Sequence, residues 1–369
     1  MGIETTTAVE GRKHMRDLLV DGLPVSHVVV HDRAMWMQGV QVRMGGLGGV
    51  NTEGEHRMKG YSRRLLDDTV RYMTDLGQDV AILFGIPDFY NKFGFAPCLV
   101  DSTVRVATRD AERAAATCLL GRARPIRPDD HPFILDLYGR ANRRRSGPIV
   151  REAQHFQGFH WGTRNLGSAA AFVLEGSRDE QLAYVAYLDR PTKVRVVEAE
   201  AVSREAFPGV LRELSRMAIE RRCAQIDLQM PPDHPFAGFL RRCGCHVELN
   251  YPRMGGGMMR MLNQDSLLAK LAPALTSRLA ESRFQGAHVS LQIETDLRSS
   301  RLCLGPEGGH DLPVTVSLCQ SALMQLMMGY RDAADVLSDH HAQTAGEAEA
   351  VLDVLFGRQV PYVWQADRF

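Results

Sequence analysis

The sequence predicts an α+β protein with more than one domain, and three observations support this. The chain has 369 residues, which is longer than one ordinary domain. Its 44% hydrophobic and 24% charged residues are typical of a soluble globular protein. Short apolar stretches with strand spacing also alternate with amphipathic stretches of helical spacing. We therefore expect two or three domains, each built from strands and helices.

The first block of elements extends to about Gly121. Ser26–Val30 and Val40–Val42 are predicted to form a strand pair, and a glycine-rich run follows. From Tyr61 the apolar residues recur at steps of three and four, which predicts a helix that Gly77 ends. The next apolar stretch, at 80–84, is a predicted strand.

Two further blocks follow. A charged, proline-containing segment at 122–130 predicts a linker. The block after it repeats the order of strands and helices of the first block, which indicates an internal repeat of one fold. The last block opens with the segment Gln264–Ala280, and predicted strands and two closing helices follow. We predict domains at 1–121, 122–262 and 263–369.

Composition excludes several functional classes. Lys plus Arg and Asp plus Glu both number 44, so no overall basic field predicts a nucleic-acid partner. The apolar runs are too short to cross a membrane, and the first residues do not resemble a signal peptide. We expect a cytoplasmic protein. Cys243, Cys245 and His246 lack further ligands at suitable spacing, so no metal site is predicted.

The segment Arg57–Arg63, with the sequence RMKGYSR, has the composition of a phosphate-binding turn at the start of a helix. A helix N-terminus presents unpaired amide hydrogens and partial positive charge. Gly60 permits close approach of an anion, and Arg and Lys side chains add charge. Taken alone, the pattern is weak, because a solvated basic helix start would have the same sequence.

A second motif makes the first more specific. Residues 56–66 (HRMKGYSRRLL) resemble the pyrophosphate-binding signature of the GNAT acetyltransferases, with Ser62 at its last small position. Residues 89–95 (FYNKFGF) resemble a second conserved element of that family. The second block resembles a divergent GNAT domain without the signature. The third resembles a sterol carrier protein-like domain through LQIETD, QLMMGYRDAADV and PYVWQADRF.

This three-block arrangement is similar to that of the enhanced intracellular survival (Eis) acetyltransferases. The resemblance implies two GNAT-like mixed-sheet domains and a sterol carrier protein-like α+β domain. It implies an N-acetyltransferase that moves the acetyl group of acetyl-CoA to a primary amine through a ternary complex, without a metal. The acceptor classes left open are a polyamine, an aminoglycoside-like compound and a lysine. The resemblance further implies a homo-oligomer, such as a hexamer.

Site residues follow from the same resemblance. Backbone groups of Val50, Asn51 and Thr52 would face the pantetheine amides, as an added strand does. Gly85 and Ile86 would line the thioester end. The pyrophosphate would be held by Arg57, Met58, Lys59, Gly60, Tyr61, Ser62 and Arg63.

The two implied catalytic groups are Tyr90, as proton donor, and the terminal carboxylate of Phe369, as proton acceptor. A phenol with a pKa near ~10 suits a developing thiolate of similar basicity. A carboxylate with a pKa near ~3.5 is a weak base, so it would orient the ammonium group and relay its proton through water, or act after burial raises its pKa. This arrangement requires a docked C-terminal tail, and the bulky Trp364 and Phe369 are consistent with one.

Two other functions remain open. The chain could be a lipid carrier whose tunnel is lined by the Met- and Leu-rich segment at 323–328, although such a stripe is more often core. It could also be an acetyl-CoA-binding protein without turnover.

The sequence also departs from the family in one respect. About 25 residues precede the Ser26 strand, which leaves little room for the helical wall of the acceptor cleft. Met35, Trp36 and Met37 could replace that wall or belong to the core. Four aspartates of the first block could attract a cationic amine or lie at the solvated surface: Asp32, Asp67, Asp68 and Asp88.

Overall fold

A computed structural model describes residues 2–116, 121–159, 169–339 and 341–369. These residues form two compact units, and each unit is discontinuous in sequence. The first unit comprises Met1–Leu99, Arg144–Gly147 and Pro252–Pro361. The second comprises Val100–Arg143, Pro148–Tyr251 and Tyr362–Phe369. The domain boundaries at 121/122 and 262/263 stay a prediction.

The strands are β1 Ile3–Glu10, β2 Lys13–Val20, β3 Leu23–Met37, β4 Val40–Thr52, β5 Val80–Gly85, β6 Ala96–Pro97, β7 Asp101–Ala107, β8 Arg122–Pro125, β9 Ala169–Glu175, β10 Gln181–Arg190, β11 Lys193–Ala201, β12 Gln225–Leu228, β13 His246–Asn250, β14 Gly256–Met261, β15 Ala287–Glu294, β16 Ser299–Leu304, β17 His310–Ser317 and β18 Gln343–Ala345. The helices are α1 Tyr61–Asp75, α2 Thr108–Ala115, α3 His131–Asn142, α4 Phe207–Glu220, α5 Pro235–Leu240, α6 Gln264–Ala280, α7 Gln320–Met328, α8 Ala333–Leu337 and α9 Ala348–Leu355. Short 3₁₀ turns occur between them.

The first unit contains a sheet of order β1-β2-β3-β4-β5-β14-β6. Strands β1 to β4 form an antiparallel meander, and α1 connects β4 to the parallel strand β5. Residues of α1 at helical spacing, Leu65, Leu66, Val70 and Met73, are buried in the core of this sheet. The predicted helix and strands of the first block are therefore present, with β3 and β4 longer than the sequence indicated.

The segment before the predicted first strand is also β-structure. Strands β1 and β2 occupy the place where the family resemblance led us to expect a shortened helical wall. In β2 every second residue is buried, which is the pattern of a strand with one face on the core. Further along, Met35 and Met37 are fully buried. These two methionines therefore belong to the core rather than to an open cleft wall.

The second unit repeats this topology. Its sheet has the order β13-β7-β12-β11-β10-β9-β8, and α4 connects β11 to the parallel strand β12. Each sheet also contains a strand from a distant part of the chain. Strand β14 lies between β5 and β6 in the first sheet, and β7 lies between β12 and β13 in the second. The equal strand orders support the internal repeat predicted from the sequence.

A third sheet, of order β16-β15-β17-β18, belongs to the first unit together with α6 to α9. Helix α6 coincides with the segment that opens the predicted third block. The apolar segment considered for a lipid tunnel is core, because its side chains in α7 are fully buried: Leu323, Met324, Leu326, Met327 and Met328. Three mixed sheets with packed helices confirm the predicted α+β class.

Candidate active site

Strands β4 and β5 separate at their carboxyl ends. Their parallel pairing joins Met44–Leu47 to Val80–Leu83. Beyond the Leu47–Leu83 pair both strands continue, and within the described residues they do not pair with each other again. A bulge in β4, where Gly49 has φ +62°, coincides with this separation. The predicted pantetheine residues, 50–52, lie on β4 just beyond it, where an extended ligand could add as a strand.

The start of α1 has the features of an anion site. Gly60 caps the helix with φ +81° and ψ 3°, and the N-cap residue makes no side-chain cap hydrogen bond. No acidic residue lies in the first turn. The basic side chains of Arg57, Lys59 and Arg63 are exposed. The N-terminus of a helix carries a partial positive charge, and these three side chains are cations. Both therefore favour a bound phosphate.

Arg57 also connects the turn to β4. Its Nε donates to the carbonyl oxygen of Thr52 over 3.0 Å. Met58 has φ +63° and a fully exposed side chain. Such a conformation is uncommon in a non-glycine residue and occurs often at functional turns. The whole predicted segment 57–63 therefore lies at the carboxyl end of β4, next to the separated strands.

Gly85 ends β5 and contacts the ring of Tyr90. A Cβ atom at position 85 would lie 2.4 Å from Tyr90 Cδ2, so only glycine fits there. Phe89 and Phe95 contact the same ring, with centroids 4.9 and 6.4 Å away. Burial raises the pKa of the Tyr90 phenol above its ordinary value. The phenol of Tyr90 therefore stays protonated at neutral pH next to the end of β5, and Ile86 is exposed near it in sequence.

Two residues that sequence analysis did not predict hold the Tyr90 segment. Arg260 of β14 donates to the carbonyl oxygen of Phe93. Gln320 of α7 donates to the carbonyl oxygen of Gly94 over 2.6 Å, and its Oε1 accepts from the amide of Met261 over 3.0 Å. Gln320 is almost fully buried. Neither residue has a local sequence signal, because its role depends on contacts with a distant part of the chain.

Two of the four aspartates considered for the acceptor cleft have partners within the fold. Asp32 accepts from Gln78 over 3.0 Å and lies 3.6 Å from an Arg43 nitrogen. Asp68 forms an ion pair with Arg16. These two carboxylates are therefore engaged within the fold, and they do not identify an acceptor site.

The predicted proton acceptor, Phe369, belongs to the second unit, whereas Tyr90 belongs to the first. The tail before Phe369 is docked, because Tyr362 and Trp364 are 1% and 0% exposed. Trp364 Nε1 donates to Asn142 Oδ1 over 2.8 Å. Arg368 donates to Asp101 over 2.6 Å.

Comparisons with known proteins agree with this architecture. Residues 11–98 match the acetyltransferase (GNAT) domain family. Among the described residues, no helix is long and apolar enough to cross a membrane, and no group of side chains is arranged to bind a metal. No curated protein matches the chain.

Solved structures match along almost the whole chain. A GCN5-related N-acetyltransferase from Anabaena variabilis has 15% identity and a TM-score of 0.73, over 96% of this chain and 89% of that one. A probable N-acyltransferase from Enterococcus faecalis has 15% identity and a TM-score of 0.72, over 97% and 90%. Eis1 from Mycobacterium abscessus has 17% identity and a TM-score of 0.66, over 98% and 91%. The chain therefore has the fold of these proteins, and its residues 11–98 match the acetyltransferase (GNAT) domain family.

Proposed function

We propose that this protein is a GNAT-type N-acetyltransferase, which binds acetyl-CoA between the separated ends of β4 and β5 and transfers the acetyl group to a primary amine. The observation that carries the proposal is the strand separation after the Leu47–Leu83 pair. A glycine-capped basic helix start follows β4, and Tyr90 packs at the end of β5. A basic helix start, an extended strand edge and a tyrosine hydroxyl therefore occur together at one end of the sheet, which supports the proposal.

The binding roles follow from these positions. The exposed backbone edge at 50–52 would pair with the pantetheine amides. The turn at 57–63 would hold the pyrophosphate through its amides and cations. Gly85 and Ile86 would lie at the thioester, because they end the strand that diverges from β4.

In the proposed reaction, the amine nitrogen forms a bond to the acetyl carbonyl carbon and the carbon–sulfur bond breaks. The Tyr90 hydroxyl gives its proton to the departing sulfur, so coenzyme A leaves as a thiol. The ammonium proton passes to the carboxylate of Phe369, directly or through water. The acceptor would be a polyamine, an aminoglycoside-like compound or a lysine. The protein would act as a homo-oligomer such as a hexamer.

Turnover tests the reaction. The protein is mixed with acetyl-CoA and each of three amines: spermidine, an aminoglycoside and a lysine peptide. The acetylated product is measured by mass spectrometry, because the exposed thiols of Cys303 and Cys319 would react with a thiol dye. Binding of acetyl-CoA by calorimetry without any product would instead support a non-catalytic binding protein.

The catalytic groups are tested by two changes. Tyr90→Phe and deletion of Phe369 should each lower kcat by about 10²-fold or more while the KM for acetyl-CoA stays within about threefold. Tyr251→Phe, at an exposed tyrosine, is the matched control and should leave kcat unchanged. Full activity of both variants would remove the proposed acid and base roles.

The phosphate turn is tested separately. Arg63→Gln should weaken acetyl-CoA binding about tenfold, because it removes a charge from the first turn of α1. Arg71→Gln removes an exposed arginine from a later turn of the same helix. Equal affinities of the two variants would contradict a pyrophosphate site at this turn.

A further inference from the structure

A buried ion-pair network in the second unit holds the tail that ends at Phe369. Arg151 Nε donates to Asp367 Oδ1 over 2.9 Å, and its NH2 group donates to Oδ2 over 2.9 Å. The Tyr138 hydroxyl donates to the same Oδ2, also over 2.9 Å. Both oxygens of Asp367 are therefore held, and its side chain is only 6% exposed.

The guanidinium group of Arg151 is itself fixed from two other sides. It donates to both oxygens of Glu198 over 2.7 and 2.5 Å, and Glu198 is fully buried. Its Cζ lies 3.8 Å from the centroid of the Tyr138 ring. Tyr184 donates to Glu198 over 2.7 Å. The planar guanidinium group thus binds two carboxylates, each through two hydrogen bonds, and stacks on an aromatic ring. This arrangement restricts the orientation of the Asp367 side chain.

This network lies at the part of the second sheet that corresponds to the candidate acetyl-CoA site of the first. The parallel pairing of β11 with β12 ends at the Val196–Leu228 pair, and β11 is irregular at Val197 and continues to Ala201. In the first sheet, β4 has the same bulge and separation. Glu198 is on the continuing part of β11, and the 3₁₀ turn at 365–367 contacts that strand.

We propose that Arg151 and Asp367 are positioning residues that fix the terminal carboxylate of Phe369 for proton transfer. Asp367 is two residues before that carboxylate, and the intervening Arg368 is tied to Asp101. Both contacts, of Asp367 with Arg151 and of Arg368 with Asp101, lie within the second unit. The tail is therefore fixed by the unit that lacks the phosphate-binding signature. This inference rests on the proposed role of Phe369.

Matched substitutions separate positioning from stability. Asp367→Asn and Glu198→Gln each neutralise one of the two carboxylates that bind Arg151, without changing side-chain size. In either variant, Arg151 keeps one charged carboxylate partner, so we expect both variants to fold. Asp367→Asn weakens the bonds that hold the tail itself, whereas Glu198→Gln leaves the hydrogen bonds of Asp367 to Arg151 and Tyr138 in place. We expect kcat to fall at least tenfold in Asp367→Asn, with the KM for acetyl-CoA within twofold of the wild type. Glu198→Gln should keep at least half of the wild-type kcat.

A second measurement does not depend on activity. A carboxypeptidase that removes aromatic C-terminal residues should release Phe369 several times faster from Asp367→Asn than from Glu198→Gln. Circular dichroism and thermal melting establish that both variants are folded. If Glu198→Gln loses as much activity as Asp367→Asn, or if the two release rates are equal, the positioning role is overturned.

Deletion of Phe369 distinguishes failure of this inference from failure of the proposed function. The deletion moves the terminal carboxylate to Arg368. If kcat stays unchanged, the carboxylate of Phe369 itself has no catalytic role, and both proposals fail at that step. If the deletion lowers kcat but Asp367→Asn does not, only the positioning role fails. If both lower kcat, adding the deletion to Asp367→Asn should cost much less than it does in the wild type, because the two changes remove the same contribution.

Discussion

The ring of Tyr90 lies directly against the Cα atom of Gly85, so closely that a Cβ atom there would be 2.4 Å from Tyr90 Cδ2. Gly85→Ala should therefore displace the ring. We expect kcat to fall about tenfold or more and the unfolding free energy to drop by about 1–3 kcal/mol, as overpacking does. Steady-state kinetics and urea unfolding measure both effects.

The control for that change is Gly139→Ala, because a Cβ atom at Gly139 meets nothing within 4 Å. Its kcat should equal that of the wild type, and its stability should be unchanged or up to about 1 kcal/mol higher. A wild-type kcat in Gly85→Ala would show that the ring position does not limit the reaction.

The pH dependence of kcat should reflect the raised pKa of Tyr90. A raised phenol pKa keeps the proton-donating form at higher pH, so activity should persist on the alkaline side to beyond about pH 10, the ordinary tyrosine value. A fluorinated tyrosine at position 90 has a lower pKa and should move the alkaline limb to lower pH. If the limb stays in place, the group that titrates there is not Tyr90.

Gln320→Leu should affect both stability and turnover. It leaves the part-buried carbonyl of Gly94 and the buried amide of Met261 without this partner, which costs about 1–3 kcal/mol. Because the Tyr90 segment ends at Gly94, kcat should fall several-fold with little change in the KM for acetyl-CoA. Gln343→Leu, in the exposed strand β18, is the control. A loss of stability with full kcat would limit Gln320 to a structural role.

His31 should make stability fall in mild acid. Burial, with smaller contributions from Arg33 and Lys13, lowers its pKa to about 4 from 6.5. Between these two values the unfolded chain binds the proton and the folded protein does not. Stability is therefore fully present above pH 6.5 and decreases as the pH falls towards 4, by at most about 3 kcal/mol.

Thermal melting between pH 4 and 7 measures this loss. His31→Gln should flatten the decrease, whereas the exposed His310→Gln should keep it. An unchanged slope in His31→Gln would mean that other groups cause the acid sensitivity.

The local sequence pattern predicted some features of the fold and of the candidate site, but not those that depend on contacts between distant parts of the chain. Helix α1 was predicted from Tyr61 to the glycine at position 77, because its apolar residues recur at steps of three and four. The turn at 57–63 was predicted because glycine and cations at a helix start have a direct physical meaning. The hydrogen bond from Gln320 to the carbonyl of Gly94 was not predictable, because the two residues are far apart in sequence. The neighbours of β14 were likewise unpredictable, because alternation shows that a strand exists but not where it pairs.

The exchanged strands have a consequence for synthesis on the ribosome. The first sheet cannot be completed until β14 has emerged, because β14 separates β5 from β6. By then β7 to β13 have already been synthesised, and β7 pairs in the other sheet. The first sheet therefore stays incomplete until most strands of the second sheet have been synthesised. For the same reason, a fragment cut near residue 121 would lack an internal strand and could not be excised as a working module.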